Sequence, residues 1–194
     1  MVDGFHIHRN GGGLVANTAQ VADTAFVDKY AVVFDSAVVS DSARIEGFAR
    51  LFDNAHVSNN ARISNNAQVS GHAHVSDNAW IFRNARISSN AVVSHKAEVC
   101  GNATVFGSAH ISGSATIYDD VRVFGNAQVS DSVHVGMNAE IYGNAVVYGN
   151  ACVSGNAKVY DESQVFGDAM LSGNTLVGGN VALQYGEYRS GMYK

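Results

Sequence analysis

The feature that most constrains the fold of this chain is an aliphatic residue at every sixth position. The series begins at Val15, and every sixth residue after it is Val, Ile or Leu as far as Val177. Residues 15–182 therefore divide into 28 consecutive hexads without an insertion or a deletion. A fixed short period of this kind indicates a solenoid, in which each repeat packs only on its neighbours.

A second small residue lies four places after each aliphatic residue. If the aliphatic residue is position 1, this is position 5, and it is Ala in 23 of the hexads. The other five have Val121, Val133, Ser163, Thr175 and Val181. Six residues suit a short strand and a corner, and side chains alternate along a strand. Positions 5 and 1 are therefore predicted to point inward, and positions 6 and 2 outward.

The middle positions of the hexad, 3 and 4, predict a corner in every repeat. They are Gly, Asp, Asn or Ser in most hexads, as in Gly143-Asn144. These residue types tolerate a positive φ or cap a tight turn. The chain contains no proline, which agrees with this prediction because proline fixes φ and removes an amide donor.

Position 2 sorts into columns of similar residues when it is read at a spacing of 18. One neighbouring column holds serine at six successive places, from Ser40 to Ser130. The other is rich in aromatic residues and reads Ala16, Phe34, Phe52, Ser70, Ser88, Phe106, Phe124, Tyr142 and Tyr160. The two columns separate only with three hexads per coil. The sequence thus predicts a triangular prism with 18 residues per coil and about nine coils.

The hexad pattern resembles that of the hexapeptide-repeat family, and the resemblance covers residues 15–182. It implies an all-β, single-domain, left-handed parallel β-helix, and the handedness comes from the resemblance alone. Hexads such as those in residues 143–151, which read G-N-A-V-V-Y-G-N-A, are also similar to uncharacterised repeat proteins of enteric bacteria and their prophages.

The segments on either side of the hexads are predicted to cover the ends of the prism, because a solenoid exposes strand edges there. Residues 1–14 are assigned as an N-terminal cap, 15–182 as the β-helix, and 183–194 as a C-terminal cap or tail.

Composition narrows the possible partners and the location. Twelve basic and 17 acidic residues give a net charge of -5, which argues against nucleic acid because such binding needs a concentrated basic surface. No apolar run reaches the ~18 residues of a membrane span, and the first residues lack a signal-peptide pattern. The two cysteines, Cys100 and Cys152, do not form a disulfide framework. We expect a cytoplasmic protein without a cofactor.

Histidines on one outward face raise the alternative of an enzyme. His74 and His110 lie 36 residues apart, and the γ-class carbonic anhydrases of the resembled family take two zinc ligands two coils apart. Those enzymes add a third histidine soon after, where this sequence has Ala115 and Thr116, so no metal site is expected. The family's acyltransferases use a histidine as general base, a role open to His56, His74 or His110. Their loop excursions are missing from the 28 hexads.

A second outward face combines aromatic rings with cations and is the predicted interaction surface. Aromatic residues and arginine are enriched in the cores of protein interfaces. The predicted interface residues are Phe34, Arg50, Phe52, Arg86, Phe106, Arg122, Phe124, Tyr142, Lys158 and Tyr160. We expect a non-catalytic structural or interaction rod that forms a homo-oligomer, a dimer or trimer, through this face. Another protein is a further possible partner.

Overall fold

A computed structural model describes residues 3–194, which form 30 β-strands and no helix. The strands wind into a parallel β-helix of ten turns, with three short strands and three corners in each turn. The predicted all-β fold with 18 residues per coil is confirmed. The described residues include no helix long and apolar enough to cross a membrane.

The strands fall into three flat faces. The histidine face consists of β3 (Gln20–Val21), β6 (Val38–Val39), β9 (His56–Val57), β12 (His74–Val75), β15 (Val92–Val93), β18 (His110–Ile111), β21 (Gln128–Val129), β24 (Val146–Val147), β27 (Gln164–Val165) and β29 (Ala182–Leu183).

The mixed face consists of β4 (Phe26–Val27), β7 (Arg44–Ile45), β10 (Arg62–Ile63), β13 (Trp80–Ile81), β16 (Glu98–Val99), β19 (Thr116–Ile117), β22 (His134–Val135), β25 (Cys152–Val153) and the start of β28 (Met170–Val177). The aromatic face consists of β2 (Leu14–Ala16), β5 (Val32–Val33), β8 (Arg50–Leu51), β11 (Gln68–Val69), β14 (Arg86–Ile87), β17 (Thr104–Val105), β20 (Arg122–Val123), β23 (Glu140–Ile141), β26 (Lys158–Val159) and the end of β28. Two further strands, β1 (Phe5–Ile7) and β30 (Glu187–Tyr193), lie at the two ends of the helix.

Strands of successive turns pair in parallel, and each residue faces the one 18 places away. Arg62, for example, pairs with Arg44 on one side and with Trp80 on the other. Strand amides donate to carbonyls 17 residues further along, as from Arg50 to Ala67 and from Phe52 to Val69. Because these bonds use the amides of positions 6 and 2, a proline there would break the ladder.

The core runs the length of the helix and is built from positions 5 and 1. Ala49, Leu51, Ala55 and Val57 are fully buried, and the same holds for their equivalents from Ala43 to Val159. Burial of one such Val, Ile or Leu side chain stabilises the fold by about 1.5–3 kcal/mol. The predicted inward positions are therefore confirmed.

The corners depend on one residue per hexad with a positive φ. Position 3 has this conformation in every hexad from Asp35 to Gly179. An Asp at position 3 also accepts a hydrogen bond from the amide one coil further along, as Asp53 does from Gly71. Asn side chains at position 4 form ladders between coils, for example from Asn66 to Asn84. The first three corners lack the positive φ.

The two ends of the helix are closed differently. At the N-terminal end, β1 pairs antiparallel with β2, and the buried His8 lies with its Nε2 3.0 Å from the carbonyl oxygen of Ala25. At the C-terminal end, β30 lies parallel to β28, and the register shifts between Leu171 and Asn174. Tyr188 and Tyr193 there occupy inward positions, and their rings meet edge to face at 5.1 Å.

Candidate functional site

Aromatic rings on successive turns of the aromatic face form two stacks. The N-terminal stack joins Phe34 to Phe52 with ring centroids 4.9 Å apart and planes 5° from parallel, and Phe5 meets Phe34 edge to face at 5.8 Å. The C-terminal stack consists of four rings on four successive turns, Phe106, Phe124, Tyr142 and Tyr160, with centroids 4.9 to 5.3 Å apart. All of these rings are half-buried. Ser70 and Ser88 separate the two stacks.

The cations of the aromatic face are in different environments. Arg122 lies over the rings of Phe106 and Phe124, at 5.6 and 5.2 Å. Its guanidinium is also 3.3 Å from Glu140, and Lys158 is 2.8 Å from the other oxygen of the same carboxylate. The hydrogen bond to Glu140 raises the pKa of Lys158. Two of the four predicted interface cations therefore share a carboxylate within the chain.

Two glycines at position 2 make room for a tyrosine ring from the preceding turn. A Cβ at Gly178 would lie 2.5 Å from the ring of Tyr160, and a Cβ at Gly136 would lie 2.3 Å from the ring of Tyr118. Gly178 thus ends the C-terminal stack on the aromatic face, whereas Gly136 does the same for a single ring on the mixed face.

An exposed aromatic pair lies at the corner between the mixed and aromatic faces. Tyr30 and Phe48 stack with centroids 5.2 Å apart and planes 26° from parallel. Their exposed fractions are 55% and 57%, and the Lys29 ammonium lies 4.7 Å from the Tyr30 ring. We call these two residues the corner pair. Phe48 also lines a shallow groove together with Arg50, Asn66 and Gln68.

The three histidines of the enzymatic alternative do lie on one face. His56 and His74 are on adjacent turns with ring centroids 5.2 Å apart, whereas Val92 separates His74 from His110. Burial and the neighbouring His74 lower the pKa of His56. The His110 ring contacts the carbonyl oxygen of Ser108 at 3.0 Å.

The histidine face does not bring three ligands together. Within residues 3–194, no group of three or more His, Cys, Asp or Glu side chains is placed to hold a metal ion. The charge of the Asp41 carboxylate partly offsets the lowering of the His56 pKa. The backbone amide of Asn59 and the Ser40 hydroxyl lower the pKa of Asp41 by hydrogen bonding. That carboxylate is thus already used to hold the corner.

The mixed face carries one ordered cluster, which we call the Trp80 cluster: Arg44, Glu46, Arg62, Trp80 and Phe82. Glu46 accepts hydrogen bonds from both arginines, at 2.7 and 2.8 Å. Arg62 lies 5.2 Å from the Trp80 ring, which stacks on Phe82 at 4.1 Å. Burial alone would raise the pKa of Glu46, but the two arginines outweigh it and lower that pKa.

Both cysteines are free thiols on the mixed face, and the expectation that they form no bridge agrees with the structure. Burial raises the pKa of each thiol. Since the thiolate is the reactive form, neither Cys100 nor Cys152 has the environment of a nucleophile.

Comparison with known families agrees with this geometry. Residues 97–113, 115–136 and 139–155 match the family model of the YdcK beta solenoid repeat. The chain has a β-solenoid repeat fold. The predicted hexapeptide-type repeat is thereby confirmed, and the matched stretches of the solenoid include most of the C-terminal stack. No curated protein matches the solenoid sequence significantly.

Two features beside the aromatic rings could not be predicted from position 2 alone. At position 4, Tyr30 and Phe48 precede seven consecutive Asn or Asp residues at a spacing of 18. At position 6, the same spacing places Glu140 between Arg122 and Lys158.

Proposed function

We propose that the solenoid is a non-catalytic rod that self-associates through its aromatic face. The observation that supports this most directly is the pair of aromatic stacks, whose half-buried rings occupy successive turns. Monomeric proteins seldom leave a contiguous apolar strip in water. Four stacked turns at about 4.8 Å each give a strip about 14 Å long, and a parallel rod offers a surface of matching length.

The face also has the residue types of an interface. Arg50 is two residues from Phe52 on the same face, and arginine and aromatic residues are enriched where protein interfaces are fully desolvated. The enzymatic alternative has less support, because among residues 3–194 the histidine face brings together only one pair of neighbouring histidine rings, His56 and His74.

The test is a double substitution in the C-terminal stack, Phe124→Asp with Tyr142→Asp. Two carboxylates in the strip would have to be desolvated on association, which costs several kcal/mol per unpaired charge. We expect the native mass in light scattering to fall. An unchanged mass would remove the aromatic face from the interface.

The matched control is Tyr148→Asp with Phe166→Asp on the histidine face. These two rings stack in the same way, with centroids 4.9 Å apart and planes 2° from parallel. The control therefore makes the same chemical change on a different face, and it should leave the native mass unchanged.

Binding of a different protein is a second role, which we propose for the Trp80 cluster. Tryptophan and arginine are the residue types that dominate interface hot spots, and here hydrogen bonds already order both of them. Trp80→Asp with Phe82→Asp is a second control in the same light-scattering experiment. It leaves the mass unchanged if the cluster serves another partner, whereas a fall would place it in the self-association interface.

A further inference from the structure

We propose that two copies of the chain pair end to end through β30, so that a β-sheet continues from one solenoid into the other. The pairing is antiparallel and two-fold, and it sets Tyr188 of one copy opposite Tyr193 of the second copy. It goes beyond the proposed function, because it uses the C-terminal end of the rod and not its aromatic face.

The C-terminal end of the solenoid presents a longer strand edge than the N-terminal end. β30 has seven residues, and within residues 3–194 it pairs with β28 only. At the N-terminal end, β1 has three residues, and the chain beside it folds back, since the Gly13 amide donates to the Val27 carbonyl. An unpaired edge is a template for pairing with a further strand. The edge of β30 is therefore the better suited of the two to a second copy.

The regular pattern of the solenoid shows which backbone groups of β30 face outward along the rod. In each coil, the amides of positions 6 and 2 donate to the following coil. Glu187 and Met192 pair with position-6 residues of β28, so they occupy position 6 in β30. Arg189 and Lys194 each follow an inward tyrosine and occupy position 2. The amides of these four residues thus point away from β28, toward a further strand.

One antiparallel register pairs all four of these residues. In an antiparallel ladder, two facing residues exchange both hydrogen bonds when their amides point at each other. With Tyr188 set opposite Tyr193, the four residues form two kinds of facing pair, Glu187 with Lys194 and Arg189 with Met192. A register that sets either tyrosine opposite its own copy leaves the other half of β30 unpaired.

The two-fold axis of this register passes through a corner of the prism. β30 crosses from the mixed face, where Tyr188 pairs with Leu171, to the aromatic face, where Tyr193 pairs with Val177. Rotation about that corner exchanges the two faces, so each face of one rod continues into the other face of the second rod. The strand rises by about 1 Å between the tyrosines. The lower half of one copy then meets the higher half of the other, and the spacing between the two strands stays even.

The side chains at this end agree with the pairing. Tyr188 and Tyr193 fill the end of the core but are only half-buried, so a second end stacked on them would remove them from water. Glu187 is 2.8 Å from Arg189 within the chain, and the pairing brings Lys194 of the second copy opposite the same carboxylate. Opposite charges that face each other across two strands stabilise the pair.

A head-to-tail arrangement of the rods fits these observations less well. It would have to use the edge of β1, which is Phe5-His6-Ile7 and offers no charged partner for Glu187 or Lys194. A head-to-tail contact along one axis also does not close, so it would continue into a filament. The two-fold contact between C-terminal ends closes after two copies.

Disulfide trapping tests both the contact and its register. In a chain whose natural cysteines are replaced by serine, Glu187→Cys is combined with Lys194→Cys. Within one chain these two positions lie on different faces of the prism, so they face each other only between copies. The matched control combines Glu187→Cys with Arg189→Cys, which face each other only if Tyr188 is set opposite its own copy.

After mild oxidation of a concentrated sample, the Glu187→Cys, Lys194→Cys variant should give a covalent dimer on a non-reducing gel. The control and each single variant should remain monomers. A dimer from the control but not from the test pair would overturn the register. Absence of a dimer from both would overturn the pairing itself.

Small-angle X-ray scattering is the second measurement, on the chain that carries Phe124→Asp with Tyr142→Asp. Ten turns at about 4.8 Å give a rod of roughly 48 Å, and an end-to-end dimer is about twice as long. The end of a prism is a small surface, so the dimer should dissociate on dilution.

In a concentrated sample, the maximum dimension should be about twice that of one rod. Lys194→Glu should reduce it to one rod, because two carboxylates would then face each other, and Glu187→Lys with Lys194→Glu should restore it. A length of one rod in the concentrated sample before these changes would contradict the pairing.

The inference and the proposed function fail in different ways. If Phe124→Asp with Tyr142→Asp reduces the native mass to that of one chain even in a concentrated sample, the end pairing fails and the proposed function stands. If these two substitutions leave the mass unchanged but Lys194→Glu lowers it, the end pairing stands and the proposed function fails.

Discussion

The two halves of the aromatic face share one stacking geometry but differ in their surroundings. In both halves, rings on successive turns lie 4.9 Å apart and 5° from parallel. The C-terminal rings are partly covered by the chain's own charges, since Arg122 lies over two of them and is paired with Glu140. The N-terminal rings instead lie beside Arg50 and the exposed corner pair. A column of aromatic rings therefore does not by itself define an interface, because the neighbouring columns decide how much of it a partner can reach.

The largest effect that separates the halves should come from the glycine at the end of the C-terminal stack. Gly178→Ala places a methyl group 2.5 Å from the Tyr160 ring, which must shift or distort the backbone. Overpacking of a buried core typically costs about 1–3 kcal/mol, and the cost here should be at or below the lower end of that range because the contacted atoms are the far end of a half-buried side chain. We expect a lower free energy of unfolding together with weaker self-association, as measured by denaturant titration and light scattering.

Gly136→Ala is the matched control, because its Cβ would lie 2.3 Å from the Tyr118 ring on the mixed face. It should cost a similar amount of stability without changing the native mass. If both variants change the mass equally, the C-terminal stack has no special part in association.

A smaller effect should come from pH, which acts on one residue of the histidine face and on one residue of the C-terminal half of the aromatic face. Burial and His74 lower the pKa of His56 below its ordinary 6.5, so its contribution to stability is present above pH 6.5 and is lost as the pH falls below that value. Glu140 raises the pKa of Lys158 above 10.5, so that contribution is present below pH 10.5 and is lost as the pH rises through the raised pKa.

Thermal unfolding checks both directions. His56→Gln should flatten the small fall in Tm between pH 7 and pH 5, and Lys158→Met should flatten the fall above pH 10. Because these groups are largely solvated, the shifts should be small. If His56→Gln leaves the fall in Tm between pH 7 and pH 5 unchanged, His56 does not cause that fall. If Lys158→Met leaves the fall above pH 10 unchanged, Lys158 does not cause that one.

The regular part of the fold was predictable because one residue type at each position fixes the local geometry. Val, Ile or Leu at position 1 and Ala at position 5 specify the core, and Gly, Asn or Asp at position 3 specifies the left-handed corner. The first three corners, at Asn17, Asp23 and Lys29, lack the positive φ, although two of them have Asn or Asp. The chain beside them, from Asn10 to Gly13, pairs with Val27 and Asp28 instead of with another regular coil, which the hexad pattern does not encode.

The ends and the site were less predictable, because both depend on contacts between columns. The register of β30 against β28 departs from 18, since Met170 pairs with Glu187 and Thr175 with Gly191. Only the structure shows the two tyrosines that fill the C-terminal end of the core. The aromatic face itself could be predicted from the sequence. That its C-terminal half is partly covered by charged side chains and its N-terminal half is not became clear only from the positions of Glu140 and the corner pair.

The native mass of the unaltered chain in solution tests the central claim most directly. Light scattering over a dilution series should give a mass of at least twice the 20.4 kDa chain mass. A mass of 20.4 kDa at every concentration would contradict self-association through the aromatic face.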